Sequence, residues 1–172
     1  ERVVGPYRTS YGPWRLFSGI LSRSLNQRVP VPADLSAVAS LIVHGLQTNT
    51  PSAQLLGELA RTDRYLRVAE DGQGHVLGWI AGRFVADEAE LLEIVVHTDV
   101  RRRGAGAELL QGFLNEAIKR GTRSVHLEVR ATNTAAGYLY ESRGFEKVGM
   151  RARYYSNGED AVLYSLALSS LS

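Results

Sequence analysis

The feature that most constrains the fold is the succession of an apolar run, an arginine–glycine turn and an amphipathic segment between residues 89 and 120. The run AELLEIVVH, residues 89–97, is typical of a strand buried on both faces. The turn RRRGAG follows at residues 101–106. Beyond it, apolar residues recur at helical spacing: Leu109, Leu110, Phe113, Leu114, Ala117 and Ile118. This order predicts a strand, a tight turn and a helix joined end to end.

The turn at residues 101–106 has the properties of an anion site. The first N–H groups of a helix lack intrahelical acceptors, and the helix dipole places positive charge at the same end. Gly104 and Gly106 let a ligand approach the backbone closely, and the arginines at 101–103 add positive charge. The spacing is neither that of a P-loop nor that of the dinucleotide-binding fingerprint. A solvated, glycine-capped loop explains this segment equally well, so the segment alone leaves the ligand open.

The flanking elements predict one mixed sheet with helices on its faces. An edge strand is predicted at NQRVPV, and Asp34 is predicted to cap a helix that buries Leu35, Val38, Leu41 and Ile42. A short helix follows from Ser52, and then a hairpin of RYLRVAE and HVLGWIAGRFVA. After the central unit come the alternating strand SVHLEVR, a helix over 134–142 ended by Gly144, and a hairpin of FEKVGMRARYY and DAVLYSLAL. Hairpins at both ends around a strand–helix–strand unit favour this architecture.

The composition excludes several classes of site. The chain has no cysteine, which rules out disulfides, thiolate metal sites and a cysteine nucleophile. The four histidines show no metal-ligand spacing, so no metal is expected. No run approaches the roughly eighteen apolar residues of a membrane span, and no membrane partner is expected.

The positive charge is concentrated near the N-terminus. Residues 1–33 hold five arginines against one glutamate, whereas the whole chain carries only +2. The excess belongs mainly to an irregular basic arm, residues 1–25, which precedes a single domain over 26–172, so nucleic acid is not an expected partner. The arm is rich in arginine and serine, as organelle transit peptides are. We expect a cytoplasmic protein, with organelle targeting as the alternative.

Two segments carry a family resemblance. RRRGAG after an apolar strand resembles the pyrophosphate loop R/Q-x-x-G-x-G/A of the GCN5-related N-acetyltransferases (GNAT). LEVRATNTAAGYLYESRGFEKVGMRARYYSNGEDAVLYSLAL, residues 127–168, resembles their RimI branch, the ribosomal-protein-alanine N-acetyltransferases. The likeness is strong over 88–168, fades over 26–87 and does not reach 1–25. It implies a GNAT-like α/β (α+β) fold, with a single mixed, mostly antiparallel sheet of about seven strands and helices on both faces.

The resemblance implies acetyl-coenzyme A as the acetyl donor. Its pantetheine would lie along the backbone of Ile94, Val95 and Val96. Asn133 matches a family amide that bonds the pantetheine arm, although an asparagine there is also an ordinary helix N-cap. The pyrophosphate would lie on Arg101, Arg102, Arg103, Gly104, Ala105, Gly106 and Ala107.

Acetyl transfer to an amine needs a base for the ammonium proton, polarisation of the thioester carbonyl and an acid for the leaving thiolate. Tyr140 matches the family acid, and a phenol with a pKa of about 10 is protonated at neutral pH. Glu128 matches the RimI pattern for the base. Glu93 matches the catalytic glutamate of many other family members, and alternation places it on a face with Leu91 and Val95, where burial should raise its pKa.

We favour Glu128 over Glu93 as the base, and either can act through a water. Each candidate also has a purely structural interpretation. Tyr140 can be a core aromatic, Glu128 an exposed strand residue and Glu93 the partner of an arginine.

The resemblance implies a protein N-terminus, of ribosomal-protein alanine type, as the acceptor. Tyr154 and Tyr155 match a pair that lines the acceptor-peptide groove in relatives, although both can be ordinary strand aromatics. RimI-like chains usually carry a Pro-Trp-Ser element, but here no tryptophan stands between Pro51 and Ser52. A small amine such as an antibiotic or polyamine therefore stays open as the acceptor. The presence of both Glu128 and Tyr140 disfavours a coenzyme-binding module without catalysis, and the sequence does not decide between a monomer and a homodimer.

Overall fold

The computed structural model describes residues 25–46 and 52–168 of the chain. The predicted basic arm therefore lies outside the described residues except for Leu25, and so does the stretch 47–51 that contains Pro51. The helices are α1 (Leu35–Leu46), α2 (Ser52–Leu59), α3 (Ala105–Lys119) and α4 (Thr134–Ser142). The strands are β1 (Asn26–Arg28), β2 (Arg64–Glu70), β3 (Val76–Val85), β4 (Glu88–Val96), β5 (Ser124–Arg130), β6 (Glu146–Arg151) and β7 (Ala161–Ala167).

These strands form one seven-stranded sheet in the order β1-β2-β3-β4-β5-β7-β6. Neighbours are antiparallel throughout, with the exception of the parallel pair β4 and β5. That pair is parallel because α3 crosses over between the two strands, as a parallel connection requires. The predicted mixed, mostly antiparallel sheet is confirmed.

The sheet buries an apolar cluster on each face, because side chains of consecutive strand residues point to opposite sides. Trp79 of β3 packs with Val38 and Ile42 of α1 on one face. The next residue, Ile80, lies on the other face, in a buried cluster with Phe113 of α3 and Tyr140 of α4. A fully buried side chain of this size contributes roughly 1.5–3 kcal/mol. Helices cover both faces, as expected.

The sequence predicted the glycines that border α3 and α4 correctly, but not the residue that begins α1. Gly104 (φ 87°) immediately precedes α3, and Gly144 (φ 87°) lies just beyond α4, both in the left-handed region that favours glycine. The prediction that Asp34 caps α1 is wrong in detail. It closes a short 3₁₀ turn, Pro32–Asp34, where its carboxylate accepts hydrogen bonds from Val31 N–H (2.7 Å) and Arg28.

A bulge in β4 corrects the predicted face of Glu93. Glu93 is opposite Ala81 of β3 while Leu91 is opposite the next residue of β3, so Leu92 is an extra residue in the ladder. Such a bulge shifts the alternation of side chains by one position. Leu91 consequently packs on the α3 face and Val95 on the α1 face. Glu93 shares a face with Val95, but the prediction that it also shares one with Leu91 is wrong.

β4 and β5 separate beyond this bulge. Their ladder joins only Glu88–Leu91 with Ser124–Leu127, whereas β4 continues to pair with β3 as far as Val96 and β5 with β7 as far as Arg130. The C-terminal ends of β4 and β5 are therefore paired with β3 and β7, respectively, but not with each other. A gap opens in the middle of the sheet.

Candidate active site

A groove with a volume of about 550 Å³ occupies the gap between the ends of β4 and β5. The C-terminal end of α1 and the N-terminal half of α4 complete its walls. The sequence-predicted residues that line it are Glu93, Ile94, Val95, Val96, Arg101, Glu128, Asn133, Tyr140 and Tyr155. Candidates for the base, the acid, the donor contacts and the acceptor contacts thus line one groove.

Glu93 presents a partly buried carboxylate to the groove. Burial raises the pKa of Glu93, and the Trp79 indole N–H, which donates to its Oε2 at 3.0 Å, opposes part of that rise by stabilising the ionised form. The predicted rise of the Glu93 pKa is confirmed. The residues on its face of the sheet are, however, Trp79 and Val95, and not Leu91 and Val95 as predicted. A carboxylate with a raised pKa is suited to taking a proton.

Glu128 lies across the gap on β5, and its side chain is 24% exposed. Its Oε1 is 2.8 Å from the guanidinium of Arg151 on β6. The same carboxylate, through a hydrogen-bonding interaction, raises the pKa of the Tyr154 phenol. The Glu128 carboxylate is therefore held between Arg151 and Tyr154 at the edge of the groove.

Tyr140 is a buried residue of α4 that still reaches the groove. Its ring packs against those of Phe145 and Tyr164, with centroid distances of 5.8 and 6.0 Å. Burial raises its pKa, and the nearby Tyr155 adds to the rise. Because the phenol stays protonated at neutral pH, it can donate a proton in the groove.

The arginine–glycine turn combines exposed side chains with a free helix end. The first backbone bond of α3 runs from Glu108 N–H to Gly104 C=O, so the N–H groups of Ala105, Gly106 and Ala107 have no acceptor within the helix. Arg101 lines the groove and donates its Nε–H to Val96 C=O at 3.1 Å.

The other two arginines of the turn are exposed and do not line the groove. Arg102 has a φ of 59°, a left-handed conformation that is uncommon for residues other than glycine.

Val95 and Asn133, two further residues predicted to contact acetyl-coenzyme A, lie at the groove. The Val95 side chain is buried toward α1, so β4 offers the groove mainly its backbone at that position. Asn133 is the N-cap of α4 and accepts a hydrogen bond from Ala136 N–H at 3.2 Å through Oδ1. The amide NH₂ of the capping side chain is not consumed by that bond.

Tyr154 and Tyr155 lie in the loop after β6, not in a strand as the sequence suggested, because β6 ends at Arg151. Their rings meet edge to face at a centroid distance of 5.2 Å. Tyr155 lines the groove, whereas Tyr154 is 48% exposed at its rim beside Glu128.

The residues that hold these groups in place were not predicted from the sequence. Trp79 bonds Glu93, Arg151 pairs with Glu128, and Arg130 lies over the Tyr155 ring at 4.0 Å. Glu159 pairs with Arg130 at 3.0 Å. Most of these contacts join residues far apart in the chain, so only the strand order and the cross-strand register could have revealed them.

A family model described as "Acetyltransferase (GNAT) family" matches residues 42–145. This chain belongs to the GNAT acetyltransferases. It is 39% identical over 110 residues to the [ribosomal protein bS18]-alanine N-acetyltransferase of Escherichia coli (strain K12), covering 62% of this chain and 74% of that protein.

Two solved structures have the same GNAT fold. The ribosomal-protein-S18-alanine N-acetyltransferase from Escherichia coli is 30% identical, with a TM-score of 0.76 and coverage of 84% of this chain and 94% of that one. Ard1 from Thermoplasma volcanium is 27% identical, with a TM-score of 0.79 and coverage of 85% and 99%.

As a GNAT protein, the chain is an acyltransferase that uses acetyl-coenzyme A as its acetyl donor. The structure fits this donor at two points. The end of β4 has backbone groups that face the groove without a partner in β5, and the start of α3 has N–H groups that can bind a pyrophosphate.

Within residues 25–46 and 52–168, no group of three or more histidine, cysteine or acidic side chains is arranged to hold a metal ion. None of the helices in these ranges is long and apolar enough to cross a membrane.

Proposed function

We propose that this protein acetylates the N-terminal α-amino group of a protein, of ribosomal-protein alanine type, by direct attack of the amine on the thioester. The observation that carries the proposal is the groove between β4 and β5, whose walls hold Glu93, Glu128, Tyr140 and Tyr155 together. The names of relatives that modify ribosomal-protein alanine support this choice of acceptor. A cytoplasmic location would follow from such an acceptor.

Glu128 acts as the base in this proposal, and it takes the ammonium proton directly or through a water. The ion pair with Arg151 at 2.8 Å orients its carboxylate from the far side of β7. Glu93 is the competing base, since burial raises its pKa and so increases its proton affinity at neutral pH. Both carboxylates line the same groove, which is why their substitution must be compared directly.

Tyr140 is the acid that protonates the leaving thiolate. Its raised pKa keeps the phenol protonated at neutral pH, so a proton is available beside the leaving sulfur. Acetyl-coenzyme A supplies an activated acyl group. The N–H groups at the start of α3 and the backbone of β4 hold and orient it, and Asn133 contributes its amide.

The hydroxyls of Tyr154 and Tyr155 bind the backbone of an extended acceptor peptide. Both residues lie in the loop that borders the groove on the side of Glu128. An N-terminal peptide has backbone groups for such a clamp to bind, whereas a small amine has none.

A small polyamine or antibiotic is the weaker candidate because two of the three acidic side chains that line the groove already pair with arginines. Glu128 is paired with Arg151 and Glu159 with Arg130, whereas Glu93 has a neutral partner, the Trp79 indole. A site for a polycation would present carboxylates free to pair with it.

The experiment that tests this proposal is acetyl-coenzyme A turnover against a panel of N-terminal peptides and small amines. We expect transfer to an alanine-start ribosomal peptide, detected by release of the free coenzyme thiol and by the mass of the product. The proposal is wrong if no peptide is acetylated while a polyamine or aminoglycoside turns over readily.

A further inference from the structure

A network around Glu159 joins three segments of the chain beside the groove. The carboxylate of Glu159, in the loop before β7, accepts hydrogen bonds from both Thr132 N–H (3.1 Å) and Thr132 Oγ1–H (2.5 Å) through Oε1. Its Oε2 accepts from Arg130 at 3.0 Å. Thr132 stands between the end of β5 and the start of α4, so one side chain connects β5, α4 and the loop.

The network ends on a residue of the proposed acceptor site. The guanidinium carbon of Arg130 lies 4.0 Å above the centre of the Tyr155 ring. The loop also closes on itself, since Tyr155 N–H donates to Glu159 C=O at 3.0 Å and Gly158 N–H donates to Tyr155 C=O at 2.8 Å. Displacing Glu159 would release both the backbone and the ring of Tyr155.

The charged side chains of this network are largely shielded from solvent and hydrogen-bonded. The Glu159 and Arg130 side chains are only 16% and 24% exposed. The two bonds from Thr132, with further help from Arg130 and Asn157, lower the pKa of Glu159 to about 2, so it is ionised throughout the neutral range. The Arg130 guanidinium is thereby fixed between a carboxylate and an aromatic face.

We infer that Glu159 is a positioning residue that, through Arg130, fixes Tyr155 at the groove and ties the acceptor loop to the start of α4. The inference rests on the proposed function only in the step where Tyr155 contacts the acceptor. Glu159 need not touch the reacting atoms, because its effect passes through Arg130 and the loop backbone.

The chain offers a matched control for this inference. Glu70 of β2 pairs with Arg28 at 2.7 Å, and the side chains are 17% and 31% exposed, close to the values for Glu159 and Arg130. Glu70 does not line the groove. Glu70→Gln therefore removes a comparable ion pair without touching the acceptor loop.

The test compares Glu159→Gln with Glu70→Gln in the full chain. We expect Glu159→Gln to raise the KM for an N-terminal peptide about ten-fold and to leave the KM for acetyl-coenzyme A within about two-fold, as loss of a charge-assisted contact on the acceptor side alone predicts. Glu70→Gln should leave both constants unchanged. The inference is overturned if the two variants alter the peptide KM equally, or if the peptide and coenzyme constants rise together.

Hydrogen exchange tests the positioning role without relying on turnover. Exchange of the Thr132, Tyr155 and Gly158 amides should accelerate at least ten-fold in Glu159→Gln but not in Glu70→Gln. The Thr132 amide bonds the Glu159 carboxylate, and the Tyr155 and Gly158 amides close the loop that this carboxylate anchors. Unchanged exchange at these amides refutes the positioning role even if a peptide is acetylated. Faster exchange with no acetylation of any peptide leaves the positioning role standing and counts against the proposed acceptor.

Discussion

Substituting Gly104 tests whether the turn before α3 binds the coenzyme pyrophosphate. The residue has a φ of 87° and is followed directly by the helix, so a side chain there would stand beside the free N–H groups. A Cβ built at Gly104 meets no atom within 4 Å, so a substitution causes no clash. The left-handed conformation costs a residue other than glycine roughly 1–2 kcal/mol, and less for asparagine and aspartate.

Gly104→Asp and Gly104→Asn separate the effect of charge from that of shape and strain. The two side chains are nearly isosteric and both tolerate the left-handed region, so only aspartate adds repulsion toward a pyrophosphate. Two unit charges about 4 Å apart repel by about 1 kcal/mol in water and about 4 kcal/mol at a typical protein surface. Even the lower part of that range gives an affinity difference of about ten-fold once the pyrophosphate carries more than one charge.

The assay is calorimetric titration of both variants with coenzyme A, at low and at moderate salt. We expect Gly104→Asp to bind at least ten-fold more weakly than Gly104→Asn, with a smaller difference at higher salt because the repulsion is screened. Equal affinity for the two folded variants would refute the assignment of the pyrophosphate to this turn.

Three further predictions concern the two candidate bases, Glu128 and Glu93, and the tyrosines proposed to bind the acceptor peptide. Glu128→Gln should lower kcat about a hundred-fold with coenzyme affinity little changed, and a larger loss in Glu93→Gln than in Glu128→Gln would move the base to β4. Replacing Tyr154 and Tyr155 by Phe should raise the peptide KM about five-fold per lost hydroxyl, or ~1 kcal/mol each, and an unchanged peptide KM would contradict the clamp. Because burial raises the pKa of Glu93, the folded state loses stability as pH rises from the unfolded value of 4.5 through the folded value. The Tm of Glu93→Gln relative to the wild type should therefore increase between about pH 4 and pH 8 in thermal melts, and a difference independent of pH would contradict the effect of burial.

The elements of the fold could be predicted because their signals are local. The helical spacing of Leu109, Phe113 and Leu114 depends on neighbours three or four residues away, and all three side chains are buried in α3. The alternation in SVHLEVR likewise matches the burial of Val125, Leu127 and Val129 in β5. Such patterns reflect which face of one element is covered, and that information is present in the element itself.

The contacts that orient the site could not be predicted because they depend on strand order. Arg151 reaches Glu128 diagonally across β7, since Glu128 is opposite Leu163 of β7 and Arg151 is opposite Ala161, two residues away on the same face. A sequence of hairpins does not reveal that β7 inserts between β5 and β6, so the partner of Glu128 had no local signal. The family resemblance supplied the candidate residues, but it did not supply the arginines that hold them.

The bulge at Leu92 accounts for both the shape of the groove and the position of Glu93. The run ELLEIVV has no glycine or proline to mark an irregular strand, so regular alternation placed Leu91 and Glu93 on one face. One extra residue turns Glu93 to the α1 face, where the Trp79 indole can reach it, and pairing with β5 ends at the residue before the bulge. A strand without the bulge would leave Leu91 and Glu93 on one face, whatever its amino-acid composition. The candidate base on β4 and the opening for the acetyl donor therefore arise at the same irregularity of the backbone.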